Sequence, residues 1–141
     1  MPVRILIVDD HPVARVAIRA LLDRYSLHVC GEAENGREAI KLVAELKPDI
    51  VLLDVNMPVM DGLSAAREIR RIAPITAIVF LTVHESSAIV NALHIWSDGF
   101  VPKSEAGSKL IPQLNRLQAL RKLVPTKKRS RLKSIKNGEM A

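Results

Sequence analysis

The sequence predicts a doubly wound α/β sandwich, an open sheet of five parallel strands covered by helices on both faces. Strand-like apolar runs alternate five times with helix-period segments between Val3 and Leu123. Ile50 to Leu53 is continuously apolar, the pattern of a central strand buried on both faces. Four runs end in a polar residue: Val3–Val8 leads into Asp9 and Asp10, Ile50–Leu53 into Asp54, Ala77–Leu81 into Thr82, and Phe100–Pro102 into Lys103. In such sheets ligands sit beyond the carboxyl ends of the strands, near the point where strand order reverses. The four ends therefore mark a candidate site.

Each element has its own local reason. After the first strand, Pro12 opens a helix whose apolar positions Val13, Val16, Ala17, Ala20 and Leu21 recur at helical spacing up to Arg24. His28 to Ala33 is the second strand. Asn35-Gly36 is a turn signal, and the helix that follows carries Ala39, Ile40, Val43 and Leu46 before Pro48 closes it. Asp49 to Leu53 is the third strand, and the turn-rich stretch from Val55 to Gly62 leads to a helix over Leu63 to Ile72. Thr76 to Thr82 is the fourth strand and Glu85 to Trp96 the fourth helix, with Asp98-Gly99 as its exit turn. The short fifth strand spans Phe100 to Pro102. The last helix runs from Ser108 to Leu123, where Pro112 falls in or just after the first turn and costs little.

Strands and helices alternating at these lengths require right-handed crossovers and parallel pairing. Among doubly wound orders the flavodoxin-like 2-1-3-4-5 suits five strands, and it sets the first and third strands side by side. Asp9, Asp10 and Asp54 then converge.

A chain of 141 residues with 48% hydrophobic content fits one domain, over residues 1–124. No apolar run approaches the roughly 18 residues that span a bilayer, and no basic stretch leads into a signal-like core, so a cytoplasmic protein with no membrane partner is expected. Cys30 is the single cysteine and is expected to act as a small buried apolar residue. The net charge of +6 is uneven: residues 1–120 hold 13 Lys+Arg against 14 Asp+Glu, whereas residues 121–141 hold eight basic residues and only Glu139. The basicity belongs to this C-terminal end, of which residues 125–141 are read as a flexible tail without a core of its own. Its Lys127-Lys128-Arg129 run gives a weak suggestion of DNA contact.

Three carboxylates brought together repel one another unless protons or a cation neutralise them. Hard oxygen ligands with vacant positions suit Mg²⁺, which binds one or two carboxylates and keeps water or phosphate oxygens. Asp54 is placed as a carboxylate nucleophile that attacks phosphorus to give an acyl phosphate. Lys103 offers a mobile positive charge to one phosphoryl oxygen, and the Thr82 hydroxyl a hydrogen bond to another. Asp54, Thr82 and Lys103 thus form the candidate catalytic set.

Val8-Asp9-Asp10-His11-Pro12, Leu53 to Gly62, Leu81-Thr82 and Phe100-Val101-Pro102-Lys103 resemble the signature of bacterial response-regulator receiver domains, the CheY-like modules of two-component systems. Asp-Asp-His-Pro and the Gly31 to Gly36 segment most resemble the NarL/FixJ (LuxR-type) subfamily. The resemblance implies that Asp54 accepts a phosphoryl group from a sensor histidine kinase, and that Asp9, Asp10 and the Asn56 backbone carbonyl serve the Mg²⁺ ion. It implies that Thr82 and Phe100 are a switch pair that remodels the face formed by the fourth helix, fifth strand and fifth helix. Asn56 and His84 occupy the positions that tune acyl-phosphate lifetime. His11 is read as orienting the acidic loop or, preferably, capping a helix, and Asp61-Gly62 as turn chemistry. Val83 is bulkier than the small residue usual beside the switch threonine, and Trp96 replaces a small turn residue near the proposed signalling face or else fills core space.

Members of the subfamily continue into a helix-turn-helix output domain, and none is recognised before Ala141. The expected output is therefore a downstream partner protein, a homodimer, or transcription regulation through an output domain lost from this chain. Two rival readings are a constitutive interaction scaffold and a DNA-contacting regulator working through the tail. A dehalogenase-type phosphatase is disfavoured, because the general acid such enzymes carry two residues after the nucleophile is here Asn56. The chain is expected to be a phosphoacceptor rather than an enzyme.

Overall fold

The structure, a computed structural model, describes residues 2–83 and 86–123, excluding the side chains at 87 and 121–123. His84 and the basic tail lie outside the described residues. In chain order the elements are β1 (Arg4–Val8), α1 (Pro12–Asp23), β2 (His28–Ala33), α2 (Gly36–Leu46), β3 (Ile50–Asp54), α3 (Gly62–Ile72), β4 (Ala77–Thr82), α4 (Ser87–Trp96), β5 (Gly99–Pro102) and α5 (Ala106–Leu123). A single 3-10 turn, Lys103–Glu105, joins β5 to α5. The strands form one parallel sheet in the order β2-β1-β3-β4-β5.

Alternation along the strands divides the core in two, because successive side chains point to opposite faces. Ile5, Ile7, Ile50, Leu52, Val79 and Leu81 pack with α1 and α5, whereas Leu6, Val8, Val51, Leu53, Ile78 and Phe80 pack with α2, α3 and α4. Each fully buried aliphatic side chain contributes about 1.5–3 kcal/mol, which makes the sheet a rigid platform for its loop ends.

Helix starts follow from local chemistry. Pro12 occupies the first turn of α1. Asn35 Oδ1 accepts the Glu38 N–H at 2.8 Å, and Asp61 Oδ1 accepts the Ser64 N–H at 2.8 Å. Each cap satisfies an N–H that the helix leaves without a partner, worth about 1 kcal/mol. α2 ends at Lys47 in the left-handed region (φ 48°), and Pro48 prevents its continuation.

Two expectations are corrected and one open alternative is narrowed. α5 begins at Ala106, because the turn at Lys103–Glu105 already winds the chain; Pro112 is therefore interior and leaves the Ser108 carbonyl without its helical donor. Cys30 is only half-buried, at the point where the β1–β2 register slips between Ile5 and Leu6. Ile5 pairs with Val29 and Leu6 with Gly31, so Cys30 is the extra residue of a bulge on an edge strand. Of the two readings of Trp96, packing is the one seen: the partly buried ring lies against the core cluster, with the Arg67 guanidinium carbon 5.7 Å from its centroid.

A buried ion pair escaped the sequence reading. Arg70, 3% exposed, donates to the carbonyls of Thr76 and Trp96, both at 3.1 Å, and to Asp98 Oδ2 at 3.0 Å. Asp98 Oδ2 also accepts the Ile78 N–H at 2.9 Å, and the Asp98 N–H donates to the Ile78 carbonyl at 2.7 Å. The residue read as an exit turn is a rivet joining α3, the end of α4 and the start of β4.

Candidate functional site

Strand register assembles the site. Val8 pairs with Leu53, so the next residues, Asp9 and Asp54, emerge side by side. Asp54 pairs with Leu81 and Thr82 with Pro102, which brings Thr82 and Lys103 to the same end of the sheet. Asp9 and Asp54 are 1% and 5% exposed, and Thr82 is buried too. Lys103 Nζ lies 2.6 Å from Asp9 Oδ2 and 3.4 Å from Asp54 Oδ2. Asp54 Oδ1 accepts the Val55 N–H at 2.8 Å.

Asp9, Asp10, His11 and Asp54 each offer one ligand atom, all within 4.8 Å of one another. Asp9 Oδ2 and Asp10 Oδ1 are buried without a hydrogen-bonding donor in good geometry, although Lys103 faces the first by charge. Buried carboxylate oxygens in that condition are costly unless a cation engages them, so the donor set fits a hard divalent ion such as Mg²⁺. Burial pushes the Asp54 carboxyl above its ordinary range; Lys103 opposes the shift and Asp9 adds to it. Burial works against the Lys103 charge, but its close contact with the Asp9 carboxylate and the negative charge of Asp54 outweigh it and raise its pKa.

Other expected site residues lie around this centre. Asn56 is exposed on the β3–α3 loop, which turns at Val59 (φ 69°) with the Met60 N–H donating to the Pro58 carbonyl at 2.7 Å. Val83 is 70% exposed and directs its bulk outward. Phe100 is half-buried against the α2–α4 side of the sheet, its ring centroid 6.1 Å from that of His94. Of the two parts expected of His11, the favoured one, capping, is not the one it plays. It stands at the N-cap of α1 but makes no side-chain cap; its ring turns toward the acidic pair instead.

Two supporting residues were missed. Arg15, one turn into α1, donates to the Asp9 carbonyl at 2.6 Å and to Glu32 Oε1 at 3.0 Å, and Arg19 holds Glu32 Oε2 at 2.7 Å. Their spacing of four on one helix face was the available signal. Gly62 lets α3 start against β3: its N–H donates to the Val55 carbonyl at 2.7 Å, and an added Cβ would lie 2.0 Å from the Asp54 carbonyl oxygen. Asp-Gly in a loop signals a turn, not this close approach.

A five-stranded sheet of this order with an acidic pocket at its carboxyl edge defines a class, and comparison with known proteins gives the family. The model of the response regulator receiver domain matches residues 5–115, and the chain belongs to that family of two-component signalling modules. The Thermotoga maritima chemotaxis protein CheY is 35% identical over 115 residues, covering 81% of this chain and 96% of that protein. A protein-glutamate methylesterase/protein-glutamine glutaminase of Methanosarcina mazei is 45% identical over 107 residues, covering 74% of this chain and 30% of that protein. The chain spans 27–34% of the length of the methylesterases it matches. Among solved structures, a LuxR-family two-component response regulator from Aurantimonas sp. SI85-9A1 superposes with a TM-score of 0.79 at 34% identity, covering 86% of this chain and 88% of that one. Among the described residues no helix is long and apolar enough to cross a membrane.

Proposed function

We propose that this chain is a Mg²⁺-dependent phosphoacceptor switch in which Asp54 takes a phosphoryl group from a sensor histidine kinase. The observation that carries the reading is the meeting of Asp9, Asp10 and Asp54 with the Lys103 ammonium at one end of the sheet. An Asp54 carboxylate oxygen attacks the phosphorus of a phosphohistidine; the new O–P bond forms as the N–P bond breaks, and the imidazole leaves. Lys103 transfers its attention from the carboxylates to a phosphoryl oxygen, and Thr82 donates its hydroxyl to another. When bound, Mg²⁺ adds positive charge to a transfer whose catalysis is mostly positioning and electrostatics. Asp9, Asp10, Asp54 and the Asn56 carbonyl would hold it.

The new acyl phosphate draws Thr82 toward it, and Phe100 follows into the space released. That is a shift between two packings of the α4–β5–α5 face, biased by one added charged group. Asn56 and His84 set how long the acyl phosphate survives. Residues 1–124 act as the receiver unit in the cytoplasm and residues 125–141 as a basic extension. The altered face engages a downstream protein, a second copy, or an output domain that regulates transcription.

Incubation with a small phosphodonor and Mg²⁺ tests the reading by intact mass. One added phosphate is expected in the wild type, and none after Asp54→Ala or with a chelator present. An undiminished mass gain in Asp54→Ala would refute the acceptor assignment, and partner affinity indifferent to phosphorylation would favour a scaffold.

A further inference from the structure

We infer that His11 sets the metal preference of the acidic pocket, supplying an imidazole nitrogen that favours borderline divalent ions such as Co²⁺, Ni²⁺ or Zn²⁺ relative to Mg²⁺. The inference rests on the reading of Asp9, Asp10 and Asp54 as a cation site. His11 Nδ1 stands 3.2 Å from Asp9 Oδ1 and 3.1 Å from Asp10 Oδ1, within reach of both carboxylates at once. Its backbone N–H donates to Asp9 Oδ1 at 2.9 Å, which fixes the start of the side chain over the acidic loop. Two-thirds of the side chain faces solvent, yet the ring makes no helix cap. Its nitrogen belongs to the same group of ligand atoms as Asp54.

A second observation is the pair of buried oxygens, Asp9 Oδ2 and Asp10 Oδ1: neither has a hydrogen bond in good geometry, and they face Lys103 Nζ at 2.6 Å and His11 Nδ1 at 3.1 Å. Asp9 is almost wholly enclosed, and one Lys103 ammonium against three converging carboxylates leaves negative charge that a divalent ion would balance. Carboxylates and a carbonyl alone present only hard oxygens, the set that suits Mg²⁺; one imidazole tilts affinity toward later first-row ions. A rival account of the same distances is that His11 serves as a resident counter-cation for the acidic pair. The two accounts diverge on one measurement. A counter-cation competes with every divalent ion alike, so its removal tightens all of them together, whereas loss of a nitrogen ligand weakens the borderline ions selectively.

The full chain and its His11→Ala and His11→Phe variants are titrated calorimetrically with Mg²⁺ and Co²⁺, and the visible spectrum of bound Co²⁺ is recorded. Circular dichroism verifies folding, and Asp10→Asn locates the binding. Both His11 variants are expected to lose about tenfold or more in Co²⁺ affinity, with Mg²⁺ changed by less than about threefold, and to shift the Co²⁺ absorption bands. Equal changes for both ions, or an unaltered Co²⁺ spectrum, overturn the inference. Co²⁺ binding through His11 in a protein that takes no phosphate on Asp54 would uphold this inference while ending the phosphoacceptor reading. Phosphate uptake with ion affinities insensitive to His11 would do the reverse.

Discussion

Gly62 and Asp54 meet across eight positions of sequence because α3 begins directly against the end of β3. A methyl group at Gly62 would collide with the Asp54 carbonyl oxygen at 2.0 Å, and backbone cannot move aside as a flexible side chain can. Gly62→Ala is expected to cost about 1–3 kcal/mol in denaturant unfolding, as overpacking does, and to slow phosphate uptake by displacing Asp54. Cys30 gives a prediction of the opposite kind, in pH. Burial pushes its thiol up, with the Arg4 charge opposing. The native chain then keeps the proton at pH values where the unfolded chain has lost it, so stability falls as pH rises from the ordinary thiol value through the raised one. Cys30→Ala should flatten that decline, and iodoacetamide should modify native protein more slowly than urea-unfolded protein at the same pH.

At the scale of elements, the Arg70–Asp98 pair decides how α3, α4 and β4 hold together. Its two partners lie 28 residues apart and are both largely enclosed, so removing one leaves a charge in a poorly solvated place. Arg70→Met is expected to cost about 3–5 kcal/mol, most of it shared with Asp98→Asn in a double-mutant cycle. Faster amide exchange at the carboxyl end of α4 than in β1 and β3 would accompany it. A small, additive effect of the two substitutions would show that the contact contributes little. Asn35-Gly36 and Asp61-Gly62 were legible as turns, whereas the structure shows that Asn35 and Asp61 also cap the helices that follow. The start of α5 was not, since the winding at Lys103–Glu105 carries no apolar periodicity and Pro112 drew the apparent boundary toward itself.

For the whole molecule, the acidic pocket couples metal binding to stability. An ion that binds only the folded chain adds about 2.7 kcal/mol at a hundredfold excess over its Kd, so Mg²⁺ is expected to raise Tm in a thermal melt. Asp10→Asn should abolish that rise and, by relieving carboxylate repulsion, leave the metal-free protein no less stable than wild type; an undiminished Mg²⁺ response in the variant would count against the site. Sequence alone determined the alternation of strands and helices, the parallel sheet and its order, and the four strand ends whose polar residues gather at one edge. These are local or periodic properties, carried by apolar spacing and by residues that terminate elements. Tertiary structure alone decided that His11 turns to the acidic pair instead of capping α1, that Trp96 packs against the core with Arg67 over its ring, and that Arg70 reaches Asp98. A side chain's direction and partners depend on which distant backbone arrives beside it, and no window of sequence contains that neighbour.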